Sequence, residues 1–160
     1  EYDARWAELY SGEAARVTAV LAPLSLSLEH IGSTSVPALV AKPVLDLLAG
    51  YEDPSLIPAY VAALSEAGYR HRGEQGIPGR EFFRRGTPRA YHLHLTHIGA
   101  GFWQDQLLFR NLLRTDPPLR ASYAALKREL AARYPRDREA YIEGKGPFIR
   151  AALDRARRAE

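Results

Sequence analysis

The chain of 160 residues contains no cysteine, which excludes disulfide stapling, thiolate-bound zinc and a cysteine nucleophile. No apolar run approaches the length of a membrane span, and the first residues, Glu1-Tyr-Asp-Ala-Arg-Trp6, do not look like a signal peptide. No methionine stands at the start, which reads as a processed or trimmed terminus. There is no internal repeat and no low-complexity tract. Charge of one sign is also scarce. The formal net charge is +3, an excess mostly of arginine, which suits phosphates and other anions and is too small to imply nucleic acid. These absences leave one domain spanning residues 1–160, cytoplasmic and without a membrane partner. What is present agrees: 46% hydrophobic and 26% charged residues describe a globular chain long enough for a genuine core.

Periodicity orders the elements. Trp6, Leu9, Tyr10, Val17, Val20 and Leu21 fall at helical spacing, and Pro23 ends that helix. Leu24, Leu26 and Leu28 alternate with Ser25, Ser27 and Glu29 as a half-buried strand delivering His30-Ile-Gly-Ser33. Pro43 to Gly50 is apolar on both faces except at Asp46, as expected of a central strand. Pro54 to Ala67 reads as a helix closed by Gly68. Tyr69 to Arg72 and Arg80 to Arg85 read as strands joined by the loop from Gly73 to Gly79. Arg89 to Ile98 is the last strand, with Tyr91, Leu93 and Leu95 on one face and His92, His94 and Thr96 on the other. Everything beyond Gly99 is helical. Asp116 before Pro117 is an N-cap signal, and Leu119, Tyr123, Leu126, Leu130 and Tyr134 form a core-facing stripe. A further stripe through Tyr141, Lys145, Phe148 and Ala152 is interrupted by Gly144, Gly146 and Pro147. The class is α+β: a small mixed sheet flanked by helices, with a helical C-terminal part.

The chemistry concentrates in a few polar residues on apolar faces. Asp46 between Val44 and Leu48 requires a partner, because an unpaired buried charge is costly; a salt bridge, a metal or a role as a base each meets that need. His92 and His94 share a face with alpha carbons about 6–7 Å apart, close enough to share a metal or a phosphate. Asp46 on a neighbouring strand is the natural third member. Half-exposed sheet histidines are the plainer alternative. Gly32-Ser33 forms a strand-to-loop turn whose backbone can approach a phosphate, or an ordinary turn with side chains bonded to its own backbone. His30 orients that loop or simply packs. Lys145 sits on a core-facing stripe where it snorkels or meets an anion, with Lys42 and Lys127 in the same set. Arg70, Arg72, Arg80, Arg84, Arg85 and Arg89 cluster around the hairpin, either as a charged sheet edge or as an anion-gathering rim. RNA binding there is disfavoured, because no aromatic residues are interleaved with the basic ones.

The segments His30-Ile-Gly-Ser-Thr-Ser-Val-Pro37, Ala41-Lys-Pro-Val-Leu-Asp46, Tyr91-His-Leu-His94, Leu126 to Tyr134 and Asp137 to Lys145 resemble the GrpB family over nearly the whole chain. The resemblance implies the nucleotidyltransferase fold superfamily, and a related domain occurs fused behind dephospho-CoA kinase in some bacteria. Active nucleotidyltransferases follow a Gly-Ser turn with a strand bearing two carboxylates two residues apart, and a later strand adds a third; together they hold divalent metal. Gly32 and Ser33 match the turn and Asp46 the first carboxylate. Leu48 occupies the second position, and the later strand offers His92 and His94. The resemblance therefore implies a site of Asp46, His92 and His94, catalytic and, with a divalent metal, ligating. Gly32, Ser33, Lys42, Lys127 and Lys145 would bind the phosphates of a nucleotide or other phosphorylated small molecule, for nucleotidyl or phosphoryl transfer. One carboxylate with imidazoles suits zinc, manganese or no metal better than magnesium. The alternative is a non-catalytic accessory domain assisting a partner such as dephospho-CoA kinase.

Overall fold

The run Leu45-Asp-Leu-Leu-Ala-Gly-Tyr51 forms β2 (Leu45–Tyr51), buried on both faces as its apolar content demands. It pairs antiparallel with β1 (Ser27–Ile31) and parallel with β5 (Tyr91–His97). Beyond β5 lie β4 (Glu81–Arg85) and the two-residue β3 (Arg70–His71), both antiparallel, giving the order β1-β2-β5-β4-β3. The computed structural model describes residues 1–87 and 90–160; Arg89, expected to begin the last strand and to join the basic cluster, lies outside them. Two compact units divide the chain, Glu1–Gln106 and Leu107–Glu160.

In the first unit, α1 (Arg5–Leu21) and α2 (Ile57–Glu66) supply the apolar stripes that cover one face of the sheet. Val17, Leu21, Tyr60 and Leu64 pack with Leu47, Ala49, Tyr51, Phe83, Leu93 and Leu95. Asp53 starts the α2 segment by accepting from the Ser55 amide at 2.9 Å, and the first turn, Pro54–Leu56, is 3-10. The buried acid of α1, Glu13, is 3% exposed. It accepts from Arg16 Nε at 2.7 Å and pairs with Arg85 of β4, so its charge is compensated.

Side chains alternate along a strand, so the residues between those core positions face the other way. The register sets Asp46 beside His92 and Leu48 beside His94 on that second face. The start of α3 (Gly101–Thr115) packs there. Gly50 is what admits it: a Cβ at Gly50 would stand 2.7 Å from Trp103 Cζ3.

In the second unit, α4 (Pro117–Arg133) begins as its sequence signal requires, with Asp116 Oδ1 accepting from the Leu119 amide at 2.9 Å. Asp137 caps α5 (Arg138–Arg158) in the same way, through the Ala140 amide at 3.0 Å. The expected interruption at Gly144–Pro147 is absent, since α5 runs through it despite the amide lost at Pro147. Gly144 is a packing device rather than a break: a Cβ there would lie 2.5 Å from Leu130 Cδ2 of α4. Tyr123 and Phe148 stack with ring centres 5.4 Å apart. Among the described residues no helix is long and apolar enough to cross a membrane.

Candidate functional site

Three of the residues singled out in the sequence meet on the face opposite α1 and α2. His94 Nε2 lies 2.9 Å from Asp46 Oδ1, and His92 Nδ1 lies 3.6 Å from the same oxygen. Adjacent parallel strands in this register bring an acid and two imidazoles to one point. Asp46 keeps a quarter of its side-chain surface exposed, whereas the rings keep about an eighth. Burial alone would push the Asp46 carboxyl up. Hydrogen bonding to the His92 and His94 rings outweighs it and holds the carboxyl well below the usual carboxylate range.

The Gly-Ser turn closes over the same carboxylate. Gly32 adopts φ 74° and ψ −179°, a conformation glycine tolerates best. A Cβ at Gly32 would stand 2.6 Å from Asp46 Oδ2, so no other residue fits without displacing the acid. The turn is braced from below. Ser35 Oγ donates to the Gly32 carbonyl at 2.5 Å, and the Ser33–Ser35 segment makes one 3-10 turn. His30 shares the helix-covered face with Leu47, where it stacks on Tyr10 at 4.6 Å and meets Thr34 Oγ1 at 3.0 Å. Its part is therefore to orient the loop. Gly32 is exposed and Ser33 half-buried, so the turn remains open to a ligand.

Arg80, read in the sequence only as one member of a basic hairpin, belongs to the site. It is 8% exposed, and its Nη2 donates to the carbonyls of Glu74 and Gln75 at 3.0 and 3.3 Å. Nη1 lies 3.3 Å from His94 Nδ1. Burial pushes the Arg80 guanidinium down from its ordinary value and the Asp46 charge opposes that shift. A guanidinium has no acceptor, so His94 Nδ1 accepts and the ring proton resides on Nε2, directed at Asp46. Phe82 and Phe102 wall the cluster: the Arg80 guanidinium lies 4.8 Å and 5.8 Å from their ring centres, and the His94 ring 5.2 Å and 5.9 Å. The legible signal for Arg80 was parity, since it continues the Phe82, Arg84 side of its strand. Its burial depends on the loop from Gly73 to Gly79 folding over it, which periodicity does not report.

The hydrogen-bond pattern fits a divalent metal poorly. Ligation through His94 Nε2 requires the proton to move to Nδ1, where the Arg80 guanidinium already donates. Leu48, at the position of a second carboxylate, is fully buried and neutral. Among the described residues no group of three or more His, Asp or Glu has metal-site geometry. Asp46, His92 and His94 form a hydrogen-bonded carboxylate–imidazole cluster instead. His92 Nε2 is buried and without a hydrogen-bond partner among the described residues.

The cationic residues expected to hold phosphate divide between the two units. Lys42 is exposed in the loop leading into β2. Lys127 and Lys145 belong to the second unit. Lys127 is 9% exposed there, with its ammonium 5.6 Å from the Tyr123 ring centre. Burial, and then the Lys145 and Arg128 charges, push it down to about 8. Lys145 sits 4.7 Å from the Tyr141 ring centre.

Residues 1–155 match the family model described as GrpB protein. The chain is 36% identical over 98% of its length to the UPF0157 protein YqkA of Bacillus subtilis, and covers 46% of that protein. It is 40% identical over 98% of its length to a UPF0157 protein of Streptomyces coelicolor, covering 82% of it. It thus spans about half of the former and most of the latter. A dephospho-CoA kinase of Mycolicibacterium paratuberculosis is 28% identical over 82% of the chain, which spans 39% of that enzyme. Among solved structures, the conserved protein GrpB from Enterococcus faecalis superposes with a TM-score of 0.87 at 34% identity, covering 98% of this chain and 94% of that one. Cid1 in complex with the UTP analog UMPNPP superposes with a TM-score of 0.56 at 13% identity, over 83% of this chain and 43% of that one. The latter likeness, like that to a cytoplasmic RNA terminal U-transferase (TM-score 0.57 at 14% identity), is one of fold alone.

Proposed function

Because this chain belongs to the GrpB family, whose sheet is built as in nucleotidyltransferases, we propose that it binds a nucleotide against the Gly32–Asp46–His94 cluster and transfers its phosphoryl or nucleotidyl group to a hydroxyl. The observation that carries this reading is the convergence of the glycine turn and both imidazoles on one carboxylate. The exposed turn at Gly32 and Ser33 lets backbone and hydroxyl donors reach a phosphate oxygen. Asp46, ionised at neutral pH, accepts the proton of the attacking hydroxyl. The hydroxyl oxygen bonds to phosphorus as the bond to the leaving phosphate oxygen breaks. His94, locked with its proton on Nε2, orients the carboxylate, and His92 lies within reach of the same oxygen. The test is calorimetric titration of UTP and ATP into wild type, Gly32→Ala and His94→Ala. Saturable heat in wild type, weakened at least tenfold in both variants, is expected; equal heats in all three refute it.

A second reading has its own observation. Leu48, 0% exposed, fills the position where transfer enzymes of this fold carry another carboxylate, and matching relatives include proteins named dephospho-CoA kinase. On this reading the domain keeps the fold, lacks transfer activity and assists a partner enzyme. Co-expression with a dephospho-CoA kinase decides it: retention on the kinase and a rise in its soluble yield support this reading, and neither effect removes it.

A further inference from the structure

We propose a second anion site, for the consecutive phosphates of a small oligophosphate, in the arginine-lined cavity at the β3–β4 end of the sheet. The cavity has a volume of about 650 Å³ and is lined by Gly68, Arg70, Arg72, Arg84, Arg85, Gly86 and Thr87, with no carboxylate among them. That size is in the range of small-molecule sites.

Three features argue for an anion. First, Arg70 stands directly opposite Arg84 in the antiparallel β3–β4 pair. Like charges in that relation destabilise a sheet, and an anion between them reverses the sign. Second, the charges are not all spent elsewhere. Arg85 is paired with Glu13, but Arg70 and Arg72 are exposed and make no salt bridge among the described residues. Third, protection of a sheet edge accounts for Arg70 on the edge strand β3 but not for the whole cluster. Arg84 sits on β4, which is paired on both sides, so its charge guards no edge. Guanidinium groups grip phosphate oxygens two at a time, which lysine cannot do.

The register places Arg70 and Arg84 on the working face. Asp46, His92, Arg84 and Arg70 form one row across β2, β5, β4 and β3. At strand spacing, Arg70 is about 14 Å from Asp46 between alpha carbons. The cavity lining contains no aromatic ring on which a base could stack, so it suits a phosphate chain rather than single-stranded nucleic acid. Gly68 and Gly86, both at positive φ, shape the rim without side chains that would fill it.

The site stands whether or not the Asp46 cluster binds nucleotide, and its test keeps the two apart. Inorganic tripolyphosphate is titrated calorimetrically into wild type, the Arg70→Ser/Arg72→Ser double variant, its Arg70→Lys/Arg72→Lys counterpart and Gly32→Ala, each checked for native circular dichroism. Expected are saturable binding to wild type, at least tenfold loss in the serine variant, partial recovery in the lysine variant, and retained binding in Gly32→Ala. No binding to wild type overturns the proposal, as does wild-type affinity in the serine variant. So does loss confined to Gly32→Ala, which would put the anion at the other site. A single-stranded oligonucleotide that binds more tightly than tripolyphosphate, through the same arginines, overturns the assignment to a small oligophosphate.

Discussion

Gly32 and Asp46 occupy touching volumes: a single methyl carbon on the glycine would come within 2.6 Å of the carboxylate oxygen Oδ2. The turn and the acid are therefore one unit, and each fixes where the other can be. Gly32→Ala adds a clash to the strain of φ 74°, a cost of about 1–3 kcal/mol. Urea unfolding is expected to show that loss. Ser33→Ala, by contrast, leaves the backbone of the turn unstrained and should cost less than half as much.

The proton on His94 is set by Arg80. Ring-nitrogen NMR of the wild type is expected to show His94 protonated on Nε2 and bare on Nδ1, as required by a donor 3.3 Å from Nδ1 and an acceptor 2.9 Å from Nε2. Arg80→Met removes the donor while preserving apolar contact with Phe82 and Phe102. The variant should then show a mixture of the two neutral tautomers. An unchanged single tautomer would remove the role assigned to Arg80.

Asp46 makes stability depend on acid pH in a defined direction. Its pKa is lowered on folding, so the folded state binds protons less readily than the unfolded chain. Its stabilisation is fully present above the ordinary carboxylate value of 3.8 and is lost as pH falls below it toward the folded value. Asp46→Asn should be less stable than wild type by about 2 kcal/mol at pH 7, the scale of a charge-assisted hydrogen bond. The gap between the two unfolding curves should narrow steadily below pH 4.

Lys127 also makes stability rise with pH, but at neutral pH it costs stability where Asp46 adds it. Its pKa falls from 10.5 to about 8 on folding, so below pH 8 the folded state carries the full cost of the buried charge. That cost, at most about 3 kcal/mol, is relieved as pH rises from about 8 to 10.5. Lys127→Met should be more stable than wild type at pH 7, and its advantage should shrink across that window. Denaturant titrations at pH 7, 9 and 10.5 measure it.

Two helical glycines separate propensity from packing. A Cβ at Gly12 of α1 meets nothing within 4 Å, so Gly12→Ala should stabilise by about 0.5–1 kcal/mol. At Gly144 of α5 the same substitution runs into Leu130 Cδ2 at 2.5 Å, and overpacking of about 1–3 kcal/mol outweighs the propensity gain. Thermal melts of the two variants should shift in opposite directions.

How far the sequence reveals these relationships depends on what each one rests on. Alternation alone places His92 and His94 on one face and Leu93 and Leu95 on the other, and the structure agrees because strand parity is a local property. The lone Asp46 in an apolar strand marks the site because a buried charge needs a partner, which the two imidazoles provide. Arg80 was hidden among exposed arginines, since its burial depends on a loop closing over it. Helix α5 runs through Gly144–Pro147 against its local pattern, because breaker residues carry local penalties, whereas the close approach of Leu130 to Gly144 is a tertiary gain that the pattern does not record.

Whether a nucleotide touches the carboxylate–imidazole cluster decides the function of this face most directly. Side-chain NMR of His92 and His94, followed during titration with UTP, reads that contact at the atoms concerned. Both ring signals are expected to shift saturably with added UTP in wild type, and to need at least tenfold more UTP in Gly32→Ala. Rings that stay unmoved to saturating nucleotide, while the protein remains folded, would contradict the assignment of this face as the nucleotide site.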